Sequence, residues 1–310
     1  MHRQRTVKGT VACKGIGLHT GKVIHMRIHP APEDHGIVFV RTDQRRPVRI
    51  PARLDHVMDT NLATTVGRDG VRVSTVEHFL SACVGIGVDN ALVELDGPEV
   101  PIMDGSAAPF VYLLRSAGTC LQSRFKRFLV IQRPLRLHDG DKWACFLPAR
   151  ELKITFSIRF PHPLINDQSL EFSFSDKSYD REISKARTFG FLRDVEQMKS
   201  HGFALGGSLD NAVVLDDFRV LNQDGLRYPD EFVRHKVLDA LGDLSLLGMP
   251  LIGHFVAHKA GHTLNMRLLQ GAMSQKGAWK VMEFPSQEEA LKAPFRLPLV
   301  GHPEPMASPA

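Results

Sequence analysis

Glu77-His78-Phe79-Leu80-Ser81-Ala82 leads into GIGVDNALVELDG, and Arg234-His235-Lys236-Val237-Leu238-Asp239-Ala240 leads into LLGMPLIGHFVAHKAG. Each stretch reads as a helix, then glycine, then an apolar strand ending in glycine. An earlier pair keeps the same order. Gly17-Leu18-His19-Thr20-Gly21-Lys22 precedes VIHMRIHPAP, and Arg136-Leu137-His138-Asp139-Gly140-Asp141-Lys142 precedes WACFLPAR. Both read as β-hairpins turning at glycine. Two similarities in one order point to internal duplication. The expected fold is α+β, with two similar domains of sheet and helix layers related by a pseudo-twofold. The halves divide near residues 121–128, giving domains 1–123 and 124–300 and an irregular tail, 301–310.

Local punctuation supports the two helices. Arg68-Asp69-Gly70 makes a turn, Val71–Val73 a short strand, and Ser74-Thr75-Val76-Glu77 a capping box. Asp230 is the expected N-cap of the second helix. Val233, Val237, Ala240, Leu241, Leu244 and Leu247 give that helix an apolar stripe, and Gly248 and Pro250 end it.

Composition bounds the function. The 310 residues suit about two domains. An apolar share of 43% with 18 Phe supplies a core, and 24% charged residues argue against long disorder. The longest apolar stretch, Leu244–Ala257, is broken by Gly, Pro and His, short of the ~20 residues of a membrane span. The first residues lack the apolar region of a signal peptide, so a cytoplasmic location is expected. Cys13, Cys83, Cys120 and Cys145 form no C-x-x-C pair, which excludes a disulfide framework and a thiolate zinc site. The net charge of +5 includes clusters at Arg41, Arg45, Arg46, Arg49 and Arg53 and at Arg124, Lys126 and Arg127. Such clusters suit an anionic partner or simply a solvated surface.

The helical repeats also carry the chemistry. His235 and Asp239 are four apart and share one helix face, with Asp243 one turn further. A buried His–Asp hydrogen bond and a pair of ligands to one metal both satisfy that stripe. His78 directly follows Glu77, and helix neighbours point ~100° apart. The two can divide labour, His78 binding a metal while Glu77 faces a water, as in H-E-x-x-H enzymes. Otherwise Glu77 is only a capping carboxylate. If the halves pack about a twofold, His78 and His235 occupy corresponding places on facing helices. Three protein ligands would leave one position open, the pattern of a catalytic zinc. The pairs His25/His29 and His254/His258 lie on strands, where four residues span ~13 Å, too far for one metal. His262 follows Gly261 at a strand end, where a loop His can reach a cleft. Thr188, framed by aromatics, can donate a hydrogen bond or cap a turn. Gly206-Gly207-Ser208 reads as a plain turn. No serine-hydrolase elbow, phosphate loop or dinucleotide fingerprint is present.

Long ordered motifs resemble one family. Ser74–His78, Pro101-Ile102-Met103-Asp104-Gly105-Ser106, Ser184-Lys185-Ala186-Arg187-Thr188-Phe189-Gly190, Phe232–Asp239 and Gly261-His262-Thr263-Leu264-Asn265 resemble the UDP-3-O-acyl-N-acetylglucosamine deacetylases, zinc amidases of lipid A biosynthesis in Gram-negative bacteria. The resemblance spans about residues 3–300. It implies a small insert in each domain and an active site between them. It also implies zinc on His78, His235 and Asp239, though Fe2+ suits the same donors. Glu77 becomes the general base and His262 the general acid. Asp243 stands behind His262, Thr188 beside the oxyanion, and Lys236 stabilises charge. The second insert, roughly Phe191–Val214, implies a passage for the acyl chain lined by Leu192, Val195, Leu209 and Val214, with Asn211 a polar departure. Lys142, Phe160 and Phe189 are implied contacts for the UDP-linked acylated amino sugar. The expected state is a monomer without stable membrane anchoring. Two other readings remain: a zinc amidohydrolase of another acylated amine, and a basic RNA-binding module. The latter lacks an aromatic stacking platform and any RNP or KH signature.

Overall fold

The computed structural model describes residues 2–297; the expected tail, 301–310, lies outside them. The first half runs β1 (Arg3–Val7), β2 (Val11–Ile16), β3 (Val23–Pro30), β4 (Ile37–Arg41), β5 (Val48–Pro51), β6 (Val57–Asp59), β7 (Thr65–Arg68), β8 (Val71–Val73), α1 (Glu77–Ile86), β9 (Ala91–Leu95), α2 (Ala108–Ala117) and β10 (Thr119–Phe125). The second runs β11 (Arg127–Ile131), β12 (Leu135–Asp139), β13 (Lys142–Leu147), β14 (Leu152–Arg159), β15 (Asp167–Ser173), α3 (Asp176–Glu182), β16 (Phe189–Phe191), α4 (Leu192–Ser200), β17 (Val213–Leu215), α5 (Glu231–Ser245), β18 (Leu251–His258), α6 (His262–Ser274), β19 (Trp279–Glu283) and α7 (Gln287–Lys292).

The duplication is written in strand order. In the first sheet, β2-β3-β9-β4-β5, β9 is antiparallel to β3 and parallel to β4. In the second, β18 is antiparallel to β13 and parallel to β14, with β12 and β15 outside them. The strands that follow the two quoted helices thus take the same central place. A parallel neighbour requires a crossover, and α1 and α5 lie in those crossovers. The second sheet is longer, because β11 and β19 join it along Leu251–Ile252 of β18. Alternation fixes the buried faces: Ile24, Met26 and Ile28 point inward from β3, and Leu152, Ile154, Phe156 and Ile158 from β14. Each half carries an insert, the β6-β7-β8 sheet in the first and β16–α4–β17 in the second.

Helices α1 and α5 pack against each other between the halves. α1 is buried almost all round, as a helix in a core must be. Phe79 meets Phe39 and Phe110 edge-on at ring separations of 6.1 and 5.6 Å. The helices come close together at Gly242, where an added Cβ would lie 2.1 Å from the Glu77 carbonyl oxygen. Only glycine fits there.

Three local readings change. The capping box does not form. Thr75 takes a positive φ of 56°, the helix begins at Glu77, and the Ser74 hydroxyl accepts from Thr65 instead. Asp230 is the N-cap residue of α5 as expected, but its carboxylate accepts from Arg234 and makes no capping hydrogen bond. Gly206-Gly207 is more than a turn. The Leu205 and Gly206 amides donate to His19 and Leu18 of the first half, and a Cβ on Gly206 would meet the Gly17 oxygen at 2.3 Å. The second insert is therefore docked on the β2–β3 turn.

Candidate active site

Two anchoring systems bring the site segments together. Glu231, fully buried at the start of α5, binds Arg187 through its backbone amide (2.9 Å) and through Nε (2.8 Å). This holds the segment Ser184–Gly190 on α5. The Thr188 amide then donates to Gly105, and the Thr188 carbonyl accepts from Val213. Arg227 bonds Asp104 at 2.9 Å and so ties the Pro101–Ser106 segment to the same place. The Thr188 hydroxyl makes no hydrogen bond among the described residues.

His78 from α1 and His235 and Asp239 from α5 converge, their ligand atoms within 4.8 Å of one another and all three buried. The imidazoles stand perpendicular with centroids 5.0 Å apart. His235 Nδ1 faces the Ala186 carbonyl at 3.1 Å, and a carbonyl only accepts, so Nδ1 carries the hydrogen. Nε2 is then an electron-pair donor, 3.3 Å from Asp239 Oδ1, itself an electron-pair donor. Burial lowers the His235 pKa to about 3, so no proton fills the gap at neutral pH. His78 Nε2 lies 3.6 Å from the same oxygen, which has no hydrogen-bond partner. Lys236 takes the other carboxylate oxygen at 2.7 Å. Burial opposes both charges of that pair, yet Asp239 lifts Lys236 above its usual range, while His235 and Lys236 hold Asp239 well below its own. Two imidazole nitrogens facing one orphaned carboxylate oxygen fit a cation. Tetrahedral zinc ligands at ~2.0–2.2 Å stand roughly 3.3–3.5 Å apart, close to the separations seen.

A second pair adjoins this set. Glu77 Oε1 lies 3.8 Å from His262 Nε2. Burial raises the Glu77 pKa, with His262 and His78 pulling the other way. His262 Nδ1 meets Asp243 Oδ2 at 2.9 Å. Burial works against the His262 charge, but Asp243 and Glu77 outweigh it and push the pKa up to about 10. His262 is not on a loop, as its position after β18 suggested, but is the first residue of α6, with Gly261 as N-cap.

Sequence reading missed Thr64. It is fully buried, its amide donates to Glu77 Oε2 (3.1 Å), and its hydroxyl donates to Asp243 Oδ1 (2.7 Å). Asn265, quoted in a motif but given no role, donates to Asp243 Oδ2 at 2.8 Å. A buried carboxylate needs such donors, and only that general rule could have prompted a search for them.

The implied substrate contacts divide. Phe189 stacks edge-on against Phe232 and lies 6.4 Å from His235, with Phe160 against its other side at 5.7 Å. Leu192 and Leu209 are 42% and 49% exposed on the second insert, and Val195 and Val214 are half-buried there. Lys142 is exposed at the β12–β13 turn and shares no hydrogen bond or ion pair with the cluster among the described residues. Asn211 is no lining residue: it is buried, and its side chain clasps Gly206 and Ser208. The strand histidines stay outside the cluster, His25 on Asp96, His29 on Glu94, His254 on Thr155 and His258 on Ser157.

Residues 4–274 match the family model described as LpxC, UDP-3-O-acyl N-acetylglycosamine deacetylase. The chain belongs to this family. A UDP-3-O-acyl-N-acetylglucosamine deacetylase of Myxococcus xanthus (strain DK1622) is 55% identical over 91% of this chain and 90% of its own. Those of Hahella chejuensis (strain KCTC 2396) and Syntrophus aciditrophicus (strain SB) are 52% and 49% identical, over 95% and 94% of this chain and 97% and 92% of theirs. Among the described residues, no helix is long and apolar enough to cross a membrane.

Proposed function

We propose that this chain hydrolyses the N-acetyl group of UDP-3-O-acyl-N-acetylglucosamine, releasing acetate and the free glucosamine amine for lipid A biosynthesis, with zinc held by His78, His235 and Asp239. The carrying observation is the orphaned Asp239 oxygen facing two imidazole nitrogens. Zinc there supplies Lewis acidity toward a water and the amide carbonyl.

The chain's own groups do the rest. Glu77 Oε1 faces the cluster and takes the proton of the attacking water. Burial raises its basicity, which suits a group that must accept a proton. The unpartnered Thr188 hydroxyl donates to the carbonyl oxygen as it gains charge, and Lys236 adds positive charge nearby. His262, protonated at Nε2 with Asp243 behind it, delivers a proton to the leaving nitrogen. An amine then departs rather than an amide anion. The aromatic shelf of Phe160 and Phe189 receives the nucleotide end with Lys142. The exposed leucines of the second insert suit the acyl chain.

All these groups come from one chain, which supports a monomeric site. The four cysteines are free, in keeping with a reducing cytoplasm. The test is acetate release from the acylated UDP-sugar before and after chelation, with zinc then iron added back. Turnover that survives complete chelation contradicts the reading. Equal turnover on acylated amines lacking UDP would favour a broader amidohydrolase.

A further inference from the structure

The acid–base roles proposed above leave open how two buried groups on opposite halves keep their orientations. We infer that Thr64 is the positioning residue that orients both, selecting the oxygen that Glu77 presents and the nitrogen that His262 presents.

Thr64 lies just before β7, at the edge of the first insert, and is fully buried. Its carbonyl accepts from Val76, the residue before α1, so it travels with the start of that helix. Its amide occupies Glu77 Oε2, which leaves Oε1 as the oxygen facing His262. The hydroxyl holds one hydrogen. Asp243 Oδ1 lies 2.7 Å away and only accepts, so the hydrogen goes there. Toward His262 Nδ1, 3.1 Å away, the Thr64 oxygen then offers only lone pairs. Nδ1 must therefore carry a hydrogen, shared between Thr64 and Asp243 Oδ2. That fixes Nε2 as the nitrogen turned toward Glu77 and the metal ligands. Asn265 also donates to Asp243 Oδ2, while Thr64 holds Oδ1, so the carboxylate cannot rotate away. One threonine of the first half thereby sets both partners, although it touches no metal ligand among the contacts described.

The experiment compares wild type, Thr64→Val, Thr64→Ser and the pair Thr64→Val with Asp243→Asn, each zinc-loaded, on UDP-3-O-acyl-N-acetylglucosamine. Valine keeps the shape and the amide but deletes the hydroxyl. Expected is a fall in kcat of about 10- to 100-fold, the usual range for an outer-shell hydrogen-bond partner. KM should stay within about twofold and zinc content should not change, since neither rests on the hydroxyl. Serine should recover most of the rate. On the Asp243→Asn background the valine should add less than about threefold, because its effect passes through Asp243. If Thr64→Val yields little folded protein, Thr64→Ala provides the same hydroxyl deletion. A valine variant within twofold of wild-type kcat, a loss confined to KM, or equal losses in valine and serine overturns the inference. Wild-type protein that releases no acetate overturns the function itself, and the role of Thr64 with it.

Discussion

Replacing Asp243 by Asn should strip His262 of most of its proton at neutral pH. In the folded chain burial disfavours a charged His262, yet its pKa stands at about 10 because Asp243 and Glu77 face it. Asp243 Oδ2 is 2.9 Å from Nδ1. At that separation, with an effective dielectric of about 20, two unit charges attract by roughly 6 kcal/mol. That corresponds to about four pKa units. Asn keeps the shape and loses the charge, so the His262 midpoint should fall from about 10 to about 6. At pH 7 the protonated fraction drops from nearly all to about a tenth. NMR titration of histidine-labelled, chelator-treated protein reads the midpoint directly. Zinc-loaded enzyme should lose kcat at pH 7 by about tenfold, in step with the fall in protonated acid. A midpoint within one unit of wild type, or kcat within threefold, would refute the reasoning.

Glu77→Gln should lower turnover by about 10²- to 10⁴-fold while one metal stays bound per chain, measured by acetate release and metal analysis. Gly242→Ala drives a methyl against the Glu77 carbonyl and should cost about 1–3 kcal/mol in denaturant unfolding, with activity falling as α1 and α5 are pushed apart. His235 gives metal-free protein an acid sensitivity. Its folded pKa is about 3 against an ordinary 6.5, so the unfolded chain binds more protons between those values. The stability it contributes is full above about pH 6.5 and is lost as pH falls toward 3, by up to about 5 kcal/mol. Unfolding of chelated protein across that window should show a flatter pH slope in His235→Gln.

The duplicated architecture was legible because each repeat announces itself locally. Glycine turns, helix-period stripes and β-branched strands recur in one order, and β9 and β18 take the same place in their sheets. The meeting of His78, His235 and Asp239 was legible for a related reason. Two of them sit four apart on one helix, and the repeat supplies a partner on the other. Details set by long-range contact were not legible. Ser74 looked like a helix cap, but the chain turns through a positive φ at Thr75 and its hydroxyl serves β7 instead. His262 looked like a loop residue because a glycine precedes it, whereas Gly261 is the N-cap of α6. Thr64 carries no local signal at all. Its importance arises from a partner 179 residues away, at Asp243. Asn211 read as a flaw in a greasy wall, since sequence does not say that a side chain turns inward to clasp its own turn.

The most direct measurement is anomalous diffraction at the zinc edge from crystals of active enzyme. A single peak should lie about 2.0–2.2 Å from one nitrogen each of His78 and His235 and one oxygen of Asp239. A peak at other residues, or fully active crystals with no metal at those three, would contradict the account.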